Sequence, residues 1–211
     1  MSELLAETSV DSTIASRLDA IAERLDSYVA RYERARDSRC VFTYAYAIMT
    51  RSIRDEIHQS GIADPEWVVA LAETFAAQYF EALDAYDQGE PLPPAWDKVF
   101  KTILARRTSV LEDLVFGITA HIVHDLPLAL IDVGLATNGR SHIHDFHTVN
   151  AMMSGMIDTM QDQVARRYSP LIHWLDWMIE GYDEILSNYG IRMSRGLAWY
   201  NAERLLDPDS I

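Results

Sequence analysis

The 211-residue chain has a single cysteine, Cys40, so it can form no internal disulfide. Its apolar setting, Cys40-Val-Phe-Thr-Tyr44, predicts a buried and inert thiol. The sequence has no Gly-rich phosphate loop, no Gly-x-Ser-x-Gly elbow, no Cys-x-x-Cys pair and no His-Glu-x-x-His helix, which removes the motif-based readings of nucleotide binding, serine hydrolysis, dithiol chemistry and zinc proteolysis. Basic residues are scarce. Eighteen Lys and Arg against thirty-two Asp and Glu leave a net charge of −14, which repels a polyphosphate backbone and disfavours nucleic-acid binding. No uninterrupted apolar run approaches the roughly 20 residues that span a bilayer. The opening Met-Ser-Glu-Leu-Leu-Ala-Glu lacks the positive flank and apolar stretch of a secretion signal. The expectation is a cytoplasmic protein without an integral membrane segment.

What is present is helical spacing. Ile14, Leu18, Ile21, Leu25, Tyr28 and Tyr32 step three or four residues apart, the pattern of a helix with one buried face, and predict a first helix from about Ser12 to Arg36. Residues 1–10 are expected as a flexible tail and 11–211 as a single helical domain. A second helix is predicted from Cys40 to Gln59, closed at Gly61. A third starts at Asp64-Pro65-Glu66, where a side-chain cap, a first-turn proline and an acid meet the positive helix end. Pro91, Pro93 and Pro94 mark a loop. Beyond it, 95–107 and 108–126 form one bent helix or two, with Pro127 breaking or kinking the chain. Thr137-Asn-Gly139-Arg-Ser141 reads as a loop before a helix reaching Tyr168. Further helices are expected from Ser169-Pro170 to Asn188 and from Ile191 to Leu206. The fold class is all-α, a single-domain multi-helix bundle of about six to eight helices.

Chemistry concentrates in one window. Five of the seven histidines lie between residues 121 and 147, in His121-Ile-Val-His124-Asp125 and His142-Ile-His144-Asp145-Phe-His147. Imidazoles beside carboxylates suit divalent ions such as zinc, manganese or iron. His121 and Asp125 are one helical turn apart, His124 sits beside them, and the one not binding an ion would orient the others. On the next helix His144 and His147 share a face that continues to Asn150, Ser154 and Asp158. The candidate metal ligands are therefore His121, His124, Asp125, His144 and His147, with Asp158 and Asp125 as catalytic carboxylates. Asp55, His58, Asp145, Asp162 and His173 are additional candidates: Asp55-x-x-His58 has ligand-pair spacing, and His173 leads a face with Trp177, Glu180 and Glu184. The plainer alternative is that each His-Asp phrase is a buried, satisfied imidazole or a helix cap, with Asp145 capping a helix beginning near Phe146. The same reading makes Arg51–Asp55 a surface pair. His142, on the loop, stands between exposure and burial. Met152, Met153, Met156 and Met160 offer adaptable apolar surface beside the polar stripe, so a substrate would be small and partly hydrophobic.

The phrases Phe42-Thr-Tyr-Ala-Tyr-Ala-Ile-Met-Thr-Arg51, Gly117-Ile-Thr-Ala-His-Ile-Val-His-Asp-Leu-Pro-Leu-Ala-Leu130 and His144-Asp-Phe-His-Thr-Val-Asn150 resemble a bacterial family catalogued only as a domain of unknown function, over most of residues 20–206. That resemblance implies a shared helical domain and no activity. His124-Asp125 with a late Asp158 also matches part of the pattern of helical His…His-Asp…Asp metallophosphohydrolases. The N-terminal tryptophan ligand of the trinuclear-zinc phospholipases is missing. The functional expectation is a metal-dependent enzyme hydrolysing a small, partly apolar ester or phosphoester. Alternatives are a non-haem iron oxidoreductase, a metal-free acid–base isomerase or cyclase, and a non-enzymatic helical binding module. Homo-oligomerisation is left open.

Overall fold

A computed structural model describes residues 2–58, 61–105, 107–169 and 188–207. The all-α expectation holds. The helices are α1 (Ser2–Ala35), α2 (Arg39–Glu56), α3 (Pro65–Gln88), α4 (Pro94–Leu104), α5 (Val110–Ala120), α6 (Leu126–Val133), α7 (Ile143–Tyr168) and α8 (Asn188–Leu206), with a single π-helical turn, His121–Asp125, joining α5 to α6. α1 starts about ten residues ahead of the predicted Ser12. The helix expected from Ser169 to Asn188 falls almost wholly outside the described residues, as do His173, Trp177, Glu180 and Glu184.

The apolar spacing of α1 does what it predicts: Ile14, Leu18, Ile21, Leu25, Tyr28 and Tyr32 are all buried, none more than 7% exposed. Each such side chain is worth about 1.5–3 kcal/mol when fully buried. The α1 rim is then laced to its neighbours by ion pairs. Arg17 bridges Glu66 and Glu73 of α3, Arg31 meets Asp87, and Arg167 of α7 reaches Glu33. The third helix begins as predicted, with the Asp64 side chain accepting from Trp67 N at 3.0 Å and Pro65 in the first turn. It ends at Gly89, whose φ of 70° only glycine adopts without strain. A capping box formed by Ser109 and Glu112 starts α5.

Two local expectations are corrected. Pro127 does not break the chain: the π turn precedes it, Leu126 N–H bonds back five residues to His121 O, and the helix continues through α6. The loop at Thr137–Ser141 is a small antiparallel hairpin, Ala136–Thr137 (β1) paired with Arg140–Ser141 (β2). Asn138 and Gly139 at its tip both have positive φ, 53° and 79°, as a two-residue hairpin turn requires. Val110–Val133, although interrupted by charged and polar residues, is long and apolar enough by length and composition to cross a membrane. Two-thirds of its apolar window (67%) is buried inside the bundle, where it forms the central helix against which α2, α3, α4 and α8 assemble.

Candidate functional site

The π turn carries the first His/Asp phrase into the core. A π turn is wider than an α turn and recurs at functional sites; here it presents three side chains to one another. Asp125, 1% exposed, accepts from His121 Nδ1 at 2.7 Å through Oδ2 and from His124 Nδ1 at 2.7 Å through Oδ1. Trp96 Nε1 on α4 donates to the same carboxylate at 3.0 and 3.1 Å. A carboxylate has only acceptors to offer. Both imidazoles therefore present a protonated Nδ1 to it, and in a neutral ring so held Nε2 is an acceptor.

For His121 that other nitrogen is buried and has no hydrogen-bond partner. The ring is held flat against Phe75 of α3, with centroids 3.6 Å apart and planes within 8°. Tyr46 and Phe42 of α2 meet it edge-on at 4.7 and 5.6 Å. Burial pushes the His121 pKa below the ordinary histidine value, against the opposing pull of Asp125 and with the charge of Arg195 acting in the same direction as burial. The imidazole is thus neutral near pH 7, with an unshared pair at Nε2.

His121 lines a cavity of about 110 Å³ whose wall is overwhelmingly apolar. The cavity is walled by α1, α2, α3, α5, the π turn, α6, α7 and α8, with Leu71, Ile118, Leu126, Val149, Met153 and Met160 among its lining. Few polar side chains reach it: His121, Tyr46, Thr50 and Arg195. Burial pushes the Tyr46 hydroxyl far above its usual range, with the Asp125 charge adding to the effect, so it stays protonated. Arg195 on α8 is 4% exposed. Its Nε donates to Asn150 Oδ1 of α7 and its guanidinium lies over the Phe146 ring. Burial pulls its pKa down to about 10, which leaves it charged at neutral pH.

The two His/Asp phrases do not converge. His144 and His147 are exposed on α7, as is Asp158, and Asp162 is exposed and paired with Arg166 at 2.7 Å. An outward α7 face accounts for most of the stripe; Asn150 alone among its anchors turns inward, toward Arg195. Asp145 does not cap its own helix. It is buried and accepts from Ala63 N (2.7 Å) and Asp64 N (3.2 Å), tying α7 to the segment ahead of α3. His142 is buried, stacked on Trp67 with centroids 4.5 Å apart, and its Nε2 is 2.9 Å from Thr137 Oγ1. Asp55 and His58 are exposed at the end of α2. Asp55 pairs with Arg54, and Arg51 reaches Asp26 of α1 rather than Asp55. Among the described residues no group of three or more His, Cys, Asp and Glu side chains is arranged to hold a metal ion.

Fold and site define a helical bundle with a His–Asp–His cluster, buried at His121 and Asp125 and half-buried at His124, beside an apolar cavity. The chain belongs to a family of unknown function, DUF5995, whose model matches residues 18–210. That span agrees with the likeness seen over residues 20–206. No curated protein and no solved structure matches the chain.

Proposed function

We propose that the chain is a metal-free acid–base enzyme that moves a proton within a small, partly apolar substrate, an isomerase in reaction class. One observation carries the reading: a buried, neutral imidazole whose Nδ1 is fixed by a carboxylate and whose Nε2 is left without a partner, on the wall of an apolar cavity. His121 Nε2 takes a proton from an acidic carbon of the substrate. Asp125 faces the imidazolium so formed and holds the ring in place. Tyr46, kept protonated, donates to the oxyanion that develops on the substrate. A proton returns from Nε2 to a second carbon after exchanging with solvent while it is held on the ring, so no oxidant, reductant or co-substrate is consumed.

The donor arrangement favours this over the metal-dependent hydrolase and the iron oxidoreductase. Asp125 and both Nδ1 atoms are already engaged with one another, and His144 and His147 face solvent on α7. The test is solvent-deuterium incorporation, read by mass spectrometry, across a panel of small apolar ketones, esters and unsaturated acids. The parent is expected to exchange one or more of them, and His121→Gln to lose about 10²–10⁴-fold of that rate. Exchange that survives His121→Gln overturns the proposal. Turnover that requires added zinc, manganese or iron and stops on chelation replaces it with the metal-dependent reading. A panel left wholly unexchanged replaces it with a binding module.

A further inference from the structure

We infer that Arg195 is the anchor for an anionic group, and that the molecule filling the cavity is a small carboxylate with a compact apolar body. The inference rests on reading this cavity as a small-molecule site, and deepens that reading by naming the substrate class.

Arg195 is unlike the other buried arginine of the described fold. Arg39, 5% exposed, is neutralised by two carboxylates, Asp37 at 2.6 Å and Asp87 at 2.9 Å. Arg195 is buried as deeply. Yet among the described residues no carboxylate pairs with it, and Asn150 supplies a neutral amide oxygen to its Nε. A buried charge with no counter-charge among the described residues is strongly unfavourable, and a bound anion would supply one. With Nε held by Asn150, the guanidinium is oriented by an amide that does not neutralise it. A planar guanidinium matches the two oxygens of a carboxylate.

Charge and size narrow the ligand. One guanidinium on an apolar wall balances one negative charge. A phosphate monoester, carrying close to two, would leave charge unbalanced in a medium that screens it poorly. An apolar cavity of roughly 150 Å³ accommodates a benzene ring, so the smaller 110 Å³ here suits a short branched chain rather than an aromatic ring or a long acyl tail. The methionines Met49, Met153 and Met160 on its wall give it room to adapt by rotamer changes.

Isothermal titration calorimetry of the full chain with 3-methylbutanoate and with 3-methylbutan-1-ol separates charge from shape, because the two share a short branched body and differ in the anionic group. 3-Methylbutanoate is expected to bind the parent at least about tenfold more tightly than the alcohol. Arg195→Met, with its fold checked by thermal unfolding, is expected to bind the two within about twofold of each other. His121→Gln is expected to keep the preference for the acid, since it removes the base and not the anchor. A parent that binds both equally, or neither, overturns the inference without recourse to any variant; so does a folded Arg195→Met that still prefers the acid. The outcome is separable from that of the exchange assay. Acid-selective binding without proton exchange leaves this inference standing and removes the catalytic proposal, whereas exchange confined to neutral substrates does the reverse.

Discussion

At the scale of single residues the molecule turns on Asp125. Its carboxylate accepts three N–H groups at once, which no neutral side chain of its size can do. In Asp125→Asn one oxygen becomes an NH₂ donor facing what had been another donor. His121 relieves the conflict by moving its proton to Nε2 and accepting through Nδ1, the tautomer that cannot take a proton from substrate. Nitrogen-15 NMR of the imidazoles is expected to show His121 protonated on Nδ1 in the parent and on Nε2 in Asp125→Asn, with proton exchange reduced by about 10²–10⁴-fold. An unchanged tautomer in the variant contradicts the role given to Asp125. The His121, His124 and Asp125 association is readable in the sequence because all three lie within one turn. Tyr46 and Arg195 are not: each looks like an ordinary member of an amphipathic helix, and only the packing of α2 and α8 brings them to the same cavity. Trp96, a core aromatic in sequence, supplies its indole N–H to Asp125 by the same route.

At the scale of elements, the π turn and one glycine position the imidazole. Pro127 announces a disturbance, and the sequence reading places it correctly but mistakes its form. Proline removes one backbone donor, and a widened turn just ahead of it absorbs the mismatch without ending the helix. Nothing in the hydrophobic period distinguishes a π turn from an α turn over five residues. Gly117, one turn earlier, lets the Phe42 ring pack directly against the α5 backbone. A Cβ at that position would fall under 3.0 Å from three carbons of the Phe42 side chain, and Phe42 in turn meets the edge of His121. Gly117→Ala is therefore expected to destabilise by about 1–3 kcal/mol and to shift the His121 resonances. Gly155, exposed in α7, is the control: a Cβ there meets nothing within 4 Å, so Gly155→Ala is expected to stabilise by up to about 1 kcal/mol. Denaturant midpoints of the two variants moving in the same direction would falsify this account of Gly117.

At the scale of the whole molecule, the helical class is legible because the apolar period of α1 and the proline-capped start of α3 are local signals that packing then honours. The ion-pair lacing is not. Arg17 finds Glu66 and Glu73, and Arg167 finds Glu33, across helices far apart in sequence, so the partners emerge only once the bundle closes. These exposed or half-exposed pairs contribute about 0–1 kcal/mol each, too little to set the response of the fold to pH. His121 sets it on the neutral side. Burial holds its native pKa below the ordinary histidine value, about 6.5 in an unfolded chain. Between those two values the unfolded state binds a proton that the native state refuses, so stability rises with pH across the interval. The contribution is complete above about pH 6.5 and is lost as pH falls through the native pKa. Two carboxylates act in opposite senses. Glu33, held low by Arg167, stabilises the fold until acid protonates it, whereas Asp113, raised by burial, favours the fold once protonated. Urea midpoints measured from about pH 7.5 to 5.5 are accordingly expected to fall in the parent and to stay nearly level in His121→Gln. A parent whose midpoint does not decline over that range would mean that the His121 imidazole accepts its proton inside the fold as readily as in water, and the neutral base on which the proposed chemistry depends would be lost with it.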